Sequence, residues 1–183
     1  MKIKVLEDQL RECYGRAVYS HKTHEKCTDI LLSRLAIIKR WQIILSAAAT
    51  GGFLTTIVGG GIAAAIIGAV VSIILLVLNS YTKDYDLGEL AQKHKQAAND
   101  IWLVREKYLS LLTDLRSGAK TPEDLLGERD RLVLELHAVY AGSPSTTSAA
   151  YKKAQEGLQK NEEMTFSDQE LDLLLPKSLR SGG

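Results

Sequence analysis

From Trp41 through Thr82 the chain runs forty-two residues without an Asp, Glu, Lys, Arg or His, and Gly59, Gly60 and Gly61 sit just past the middle of that run. A helix rises about 1.5 Å per residue and about 20 apolar residues cross a ~30 Å hydrocarbon core. The run is too long for one span and right for two. It predicts a hairpin with a first span over 41–58, a glycine turn over 59–61 and a second span over 62–81. The alternative, a buried hairpin inside a water-soluble bundle, would show polar residues at every turn, and this run does not.

On either side the pattern changes to helical periodicity. Ile3, Leu6, Leu10, Cys13, Ala17, Ser20, His24, Cys27 and Leu31 step by three and four, and after a slip at Arg34 come Leu35 and Ile38. Beyond the hairpin, Leu87, Leu90, His94, Ala97, Ile101, Val104, Tyr108, Leu111 and Leu115 repeat without a break. Both read as near-heptad seams. The second span is expected to continue straight into this rod. Because the hairpin returns the chain to the surface it left, the N-terminal helix and the rod emerge antiparallel and zip together.

Gly118 predicts a left-handed stop, and Thr121-Pro122-Glu123-Asp124 a capped start with two acids on the positive end of the dipole. The helix that follows, to about Tyr140, folds back with Leu125, Leu132, Leu136 and Val139 on one face. Residues 142–148 form a linker or Ser/Thr-capped turn before a polar helix from Ala149 to about Glu163 that needs a partner. Ser167 and Glu170 form a capping box ahead of Leu171, Leu173, Leu174 and Leu175, and Pro176 stops that helix. The predicted fold is all-α, a two-transmembrane hairpin with an antiparallel cytoplasmic bundle. Its units are 1–40, 41–82, 83–141 and a linker, polar helix and tail over 142–183.

Charge orients this hairpin. The 183 residues carry a net charge of +1, which excludes a strongly basic nucleic-acid binder and an acidic disordered chain; no sequence-specific nucleic-acid binding is expected. Arg34, Lys39 and Arg40 precede the first span, Lys83 follows the second, and the turn between them is uncharged. The positive-inside rule then keeps both termini cytoplasmic, with Arg40, Trp41, Tyr81 and Lys83 anchoring the matched ends at the headgroups. The first forty residues are charged throughout and lack the apolar core of a secretory signal, so the chain is expected to insert as it stands. Cys13 and Cys27 fall on the reducing side, where a disulfide is not expected.

Candidate chemistry is sparse. No phosphate loop follows a strand and no nucleophile triad has its strand-turn context, so no catalytic residue and no cofactor is assigned. His21, His24 and Cys27 are spaced by three on one helix, and helical rise brings His94 near the level of His24. A soft-metal site, and with it a metal-handling membrane protein, is one reading, but spacing alone does not give three convergent ligands, and no metal is assigned. The stronger reading puts His24 and His94 on the seam, where a polar residue sets register. Protonation near the ordinary pKa of about 6.5 would then place two charges together and loosen the helices by pH 5.5.

The spans hold more small and polar residues than an anchor needs. Ala48, Gly52, Thr55 and Thr56 in the first, and Gly60, Ala64, Gly68 and Ser72 in the second, form small-residue ridges of the kind that pack helix on helix. Two ridges exceed what one hairpin uses, which points to a homo-oligomer in the lipid bilayer. With no ionised group in either span, an ion-selective filter is not expected, and a Ser/Thr-lined or hydrophobically gated pore is left open.

The ensemble of Tyr19–Lys26 (YSHKTHEK), Trp41–Ser46 (WQIILS), Asn79–Tyr81 (NSY), Leu87–Lys95 (LGELAQKHK), Arg105–Leu112 (REKYLSLL), His137–Tyr140 (HAVY) and Pro144–Thr147 (PSTT) resembles the SLATT family. These are bacterial two-transmembrane effectors that associate with SMODS nucleotidyltransferases and SLOG nucleotide sensors. The resemblance implies an effector of anti-phage defence in the bacterial inner membrane, which an upstream sensor triggers to breach that membrane in abortive infection. The sensor would belong to a nucleotidyltransferase or reverse-transcriptase system. The chain shows no appended nucleotide-binding domain, so direct cyclic-nucleotide binding is left open and a separate protein or nucleoprotein trigger is expected. The rival reading is a membrane-anchored helical scaffold that recruits a soluble partner.

Overall fold

The computed structural model describes residues 3–59 and 61–180. Among them the fold is all-α: α1 (Ile3–Ile57), α2 (Ile62–Asp84), α3 (Leu87–Ser117), α4 (Pro122–Gly142), α5 (Ser148–Gln159), α6 (Asp168–Leu174) and a closing 3₁₀ turn (Lys177–Leu179). At 55 residues α1 is about 80 Å long. It runs without interruption through both the N-terminal seam and the apolar stretch, since neither proline nor an internal cap intervenes. The chain reverses after Val58 at Gly59, whose φ of +106° suits a residue without Cβ. α2 then returns antiparallel along the apolar end of α1.

The second limb is jointed where the sequence pattern predicts a seamless rod. α2 ends at Asp84, and Asp86 starts α3 by accepting a hydrogen bond from the Glu89 amide at 2.8 Å. The apolar periodicity carries across Tyr85 and Asp86, but an aspartate two residues past a helix end caps the next helix more readily than it continues the last.

Away from the hairpin, α1 and α3 pack antiparallel along the two seams. Leu6, Leu10, Cys13, Val104, Tyr108 and Leu111 join Leu125 and Leu132 of α4 in one buried cluster at the far end of the bundle. Nearer the hairpin the seam turns small and polar: Ala17, His21, His24, Cys27 and Thr28 of α1 against Ala91, His94, Ala97, Ala98 and Ile101 of α3. His21 is buried where the strict heptad places Ser20, and Ala91 where it places Leu90. A straight helix drifts about 20° per heptad against a 3.5-residue repeat, so the buried stripe moves round the helix. The small Ala91 also lets Thr28 Oγ1 donate to its carbonyl at 3.3 Å.

The connections follow their local chemistry. Gly118 ends α3 at φ +69°, and Thr121 caps α4 with Pro122 in the first turn. α5 finds its partner in α1, burying Ala150, Ala154 and Gly157. Beyond it, Glu163 is held by Lys22 Nζ at 2.6 Å and Lys26 Nζ at 3.2 Å, between two residues in the left-handed region, Glu162 and Met164. The capping box at Ser167 and Glu170 starts α6.

Candidate functional site

Two features dominate the molecule, a histidine pair inside the bundle and the bare hairpin it adjoins. His24 on α1 and His94 on α3 meet Nδ1 to Nδ1 at 2.9 Å, with ring centroids 5.0 Å apart. At that distance one Nδ1 carries the proton and donates to the lone pair of the other, so the two rings are opposite tautomers. Both are nearly fully buried. Burial, reinforced by the neighbouring His94 and His21, pushes His24 down to about 4, and burial also lowers His94. The loosening that seam spacing predicts by pH 5.5 is therefore displaced downward, because a desolvated imidazole resists charge. His21, one turn nearer the N-terminus, donates from Nδ1 to the Ala98 carbonyl at 2.9 Å. Burial lowers its pKa too, against the pull of Glu25. A polar cavity of about 300 Å³ opens beside the pair, lined by Tyr19, Thr23, His24, Tyr140 and Ser143 among others.

The hairpin is clamped where it meets the bundle. Gln42 Nε2 on α1 donates to Asn79 Oδ1 at 2.9 Å and lies 3.3 Å from Thr82 Oγ1 on α2. These residues lie at nearly equal chain distances from the glycine turn, the sequence signal that pairs them across the hairpin. Deeper in the hairpin, a Cβ built on Gly52 would stand 3.7 Å from the Cα of Gly68, so the two backbones cross there without side chains between them. Ala64 turns partly inward beside this crossing, whereas Ala48, Thr55 and Ser72 are exposed. Thr55 and Ser72 return their hydroxyls to the carbonyls of Gly52 and Gly68. Gly60 and the side chain of Thr56 lie outside the described residues.

Most of the rest of the hairpin's outer surface is bare and apolar. Ile43, Ile44, Phe53, Leu54 and Ile57 on α1, and Ile66, Ile67, Val70, Ile73, Leu76 and Val77 on α2, are exposed. The stretch opened by α2 is long and apolar enough to cross a membrane, and its most apolar window buries nothing. A patch of this extent far exceeds what a soluble monomer carries. At its bundle end Arg40, Trp41, Tyr81 and Lys83 are all exposed, and Tyr81 stacks on Tyr85 at 5.1 Å.

The family model for the SMODS and SLOG-associating 2TM effector domain, family 4, matches residues 6–170. The chain belongs to this family. No curated protein and no solved structure matches it. The match takes in all of α2 to α5, nearly all of α1 and only the first turn of α6, so the bundle and the hairpin together make up the SLATT domain. Its membrane association follows from the family's two-transmembrane character and from the bare α2.

Within this SLATT domain the structure brings His24 and His94 together and leaves Cys27 out of the pair. Among the described residues no three His, Cys, Asp or Glu converge as metal ligands; the His21 Nδ1 is spent on a carbonyl and the two remaining imidazoles on each other. One groove stands out on the hairpin. Gln42, Ser46 and Thr50 follow one another at four-residue spacing and, with Lys39 and Asn79, line a cavity of about 660 Å³ facing outward.

Proposed function

We propose that the protein is a bacterial anti-phage defence effector that sits in the inner membrane by two spans with both termini cytoplasmic. It assembles there into homo-oligomers and, on a signal from an upstream sensor, opens a leak that depolarises the infected cell. The observation that carries this reading is the outward pair Ser46 and Thr50, lining one cavity with the clamped Gln42 on a helix continuous with the bundle. Polar side chains facing lipid are expensive, so such a pair is expected to face another helix or water. Assembly around it gives a non-catalytic, Ser/Thr-lined path. The signal acts on the bundle and reaches that path through α1, and it shifts the resting equilibrium only so far as it binds the open arrangement more tightly than the closed one.

Controlled expression in a bacterial host with membrane potential and dye entry recorded over minutes tests this. The wild type, alone or with its sensor, is expected to depolarise the cell, and Ser46→Leu/Thr50→Leu to insert equally well without depolarising. Equal depolarisation by the double variant overturns the path. A polarised cell under every triggering condition favours the anchored scaffold.

A further inference from the structure

The face of the bundle between α1 and α3 carries a groove in two parts. The part nearer the hairpin, about 460 Å³, is lined by His21, Glu25, Trp102 and Arg105 and is partly filled by Met164 and Phe166 of the tail. Its continuation, about 440 Å³, is lined by Arg11 and Tyr14 of α1 and by Leu109, Leu112, Thr113 and Arg116 of α3. Among the described residues no tail residue lines this second part. Arg11 makes no ion pair among the described residues, and Arg116 holds Glu7 through Nε and Nη2.

Four residues past Met164 begins α6, whose side chains complement that groove. Leu171 and Leu174 share one face of the helix with Leu175, its C-cap; 75 % of the Leu174 surface is exposed, against 40 % of Leu171 and 36 % of Leu175. Helical spacing sets Glu170, which also accepts from Ser167 in the capping box, on one flank of this face and Asp168 on the other, matching arginines on the two opposite walls. A seven-residue helix is too short to persist in water without packing, yet a complete capping box specifies its start.

We propose that α6 of one copy docks into the Arg11/Arg116 groove of a second copy, reciprocally, so that neighbouring bundles are tied by exchanged tails. The partner is another copy because among the described residues of a single chain the groove and Leu174 stand open, and because membrane anchoring sets the copies at one height. This last point rests on the membrane reading above. Glu163 on Lys22 and Lys26, and Met164 Sδ 3.7 Å from Arg105, fix where the tail leaves the bundle. The groove begins at Leu109, one helical turn further from the hairpin, so a neighbour's tail meets it without sliding. Reciprocal exchange about a two-fold axis closes the assembly.

Cysteine cross-linking of the full chain in native membranes tests the exchange. Cys13 and Cys27 are buried and stay in place. Chains bearing Leu112→Cys and chains bearing Leu174→Cys, co-expressed and mildly oxidised, are expected to give a covalent dimer that neither gives alone. Arg11→Glu is expected to lower the yield about fivefold and Arg11→Lys to preserve it, as loss of one charge pair implies. A cross-link found only within single chains of the double variant overturns the proposal, as does no cross-link at all. Leakage is scored separately: leak without cross-link removes the tail exchange alone, and cross-link without leak removes only the membrane-breaching reading.

Discussion

His24 shows what burial does to a titratable side chain. Its pKa is about 4 in the folded bundle against 6.5 in the unfolded chain, so between those values the unfolded state binds the extra proton. The stability conferred by the neutral ring is complete above pH 6.5 and lost progressively as pH falls to about 4. The total is on the order of 3 kcal/mol, with His94 and His21 shifted in the same direction. Hydrogen exchange at the α1 amides around His24 is expected to lose protection steadily from pH 6.5 downward, with the pair itself charging only near pH 4. The double variant His24→Leu/His94→Leu is expected to flatten most of that slope, and a slope unchanged in it sinks the assignment. Tyr108 offers a contrast. It is fully buried, and among the described residues its hydroxyl meets no hydrogen-bond partner, with burial, the Cys13 thiol and Tyr140 raising its pKa and Arg16 opposing them. Tyr108→Phe is expected to leave the thermal midpoint unchanged or raise it, since an unsatisfied hydroxyl costs about 1–3 kcal/mol to bury.

Among the elements, α1 and the joint between α2 and α3 behave differently. A proline at Ile37, just outside the apolar stretch, is expected to break α1 at a cost of about 3 kcal/mol or more. It should abolish depolarisation while the chain still inserts and still protects the α1/α3 amides. Asp86→Ala removes only a cap, costs about 1 kcal/mol, and is expected to lower the melting temperature of the bundle by a few degrees without touching insertion. These helices were largely legible beforehand, because charge-free length, seam periodicity and caps at Thr121, Gly118 and Ser167 are local signals. What the pattern could not supply was the joint at Asp86, where one capping side chain outweighs an unbroken apolar repeat. It also missed the docking of α5 and the double-lysine hold on Glu163, since both are long-range contacts between segments whose own periodicity is weak. The level of His24 against His94 came from counting rise along two limbs, whereas the depth of their pKa shift needed the packing around them.

For the whole molecule, the two glycines of the hairpin crossing separate folding from assembly. A Cβ on Gly52 points at the Gly68 backbone, whereas a Cβ on Gly68 meets nothing within 4 Å. Gly52→Leu is expected to force the spans apart and reduce membrane accumulation. Gly68→Leu is expected to leave the hairpin intact and to block the approach of a neighbouring copy. Oligomer size in detergent and depolarisation in cells should therefore fall together for Gly68→Leu at normal membrane levels, and toxicity unchanged with a disrupted oligomer refutes the assembly mechanism.

On the membrane placement proposed above, the uninterrupted α1 would also work as a lever. Taking the ring of Arg40, Trp41, Tyr81 and Lys83 as its fulcrum, the helix has an outer arm of about 57 Å and an inner arm of about 25 Å. Anything that pushes the outer end sideways moves the inner tip less than half as far, with a little over twice the force. α3, packed along α1, would move with it, and the second limb would bend at Tyr85 and Asp86 and leave α2 behind. A modest shove at the far end of the bundle thus becomes a short, forceful shear between the two spans, directed at the tight seat of Gly52 on Gly68.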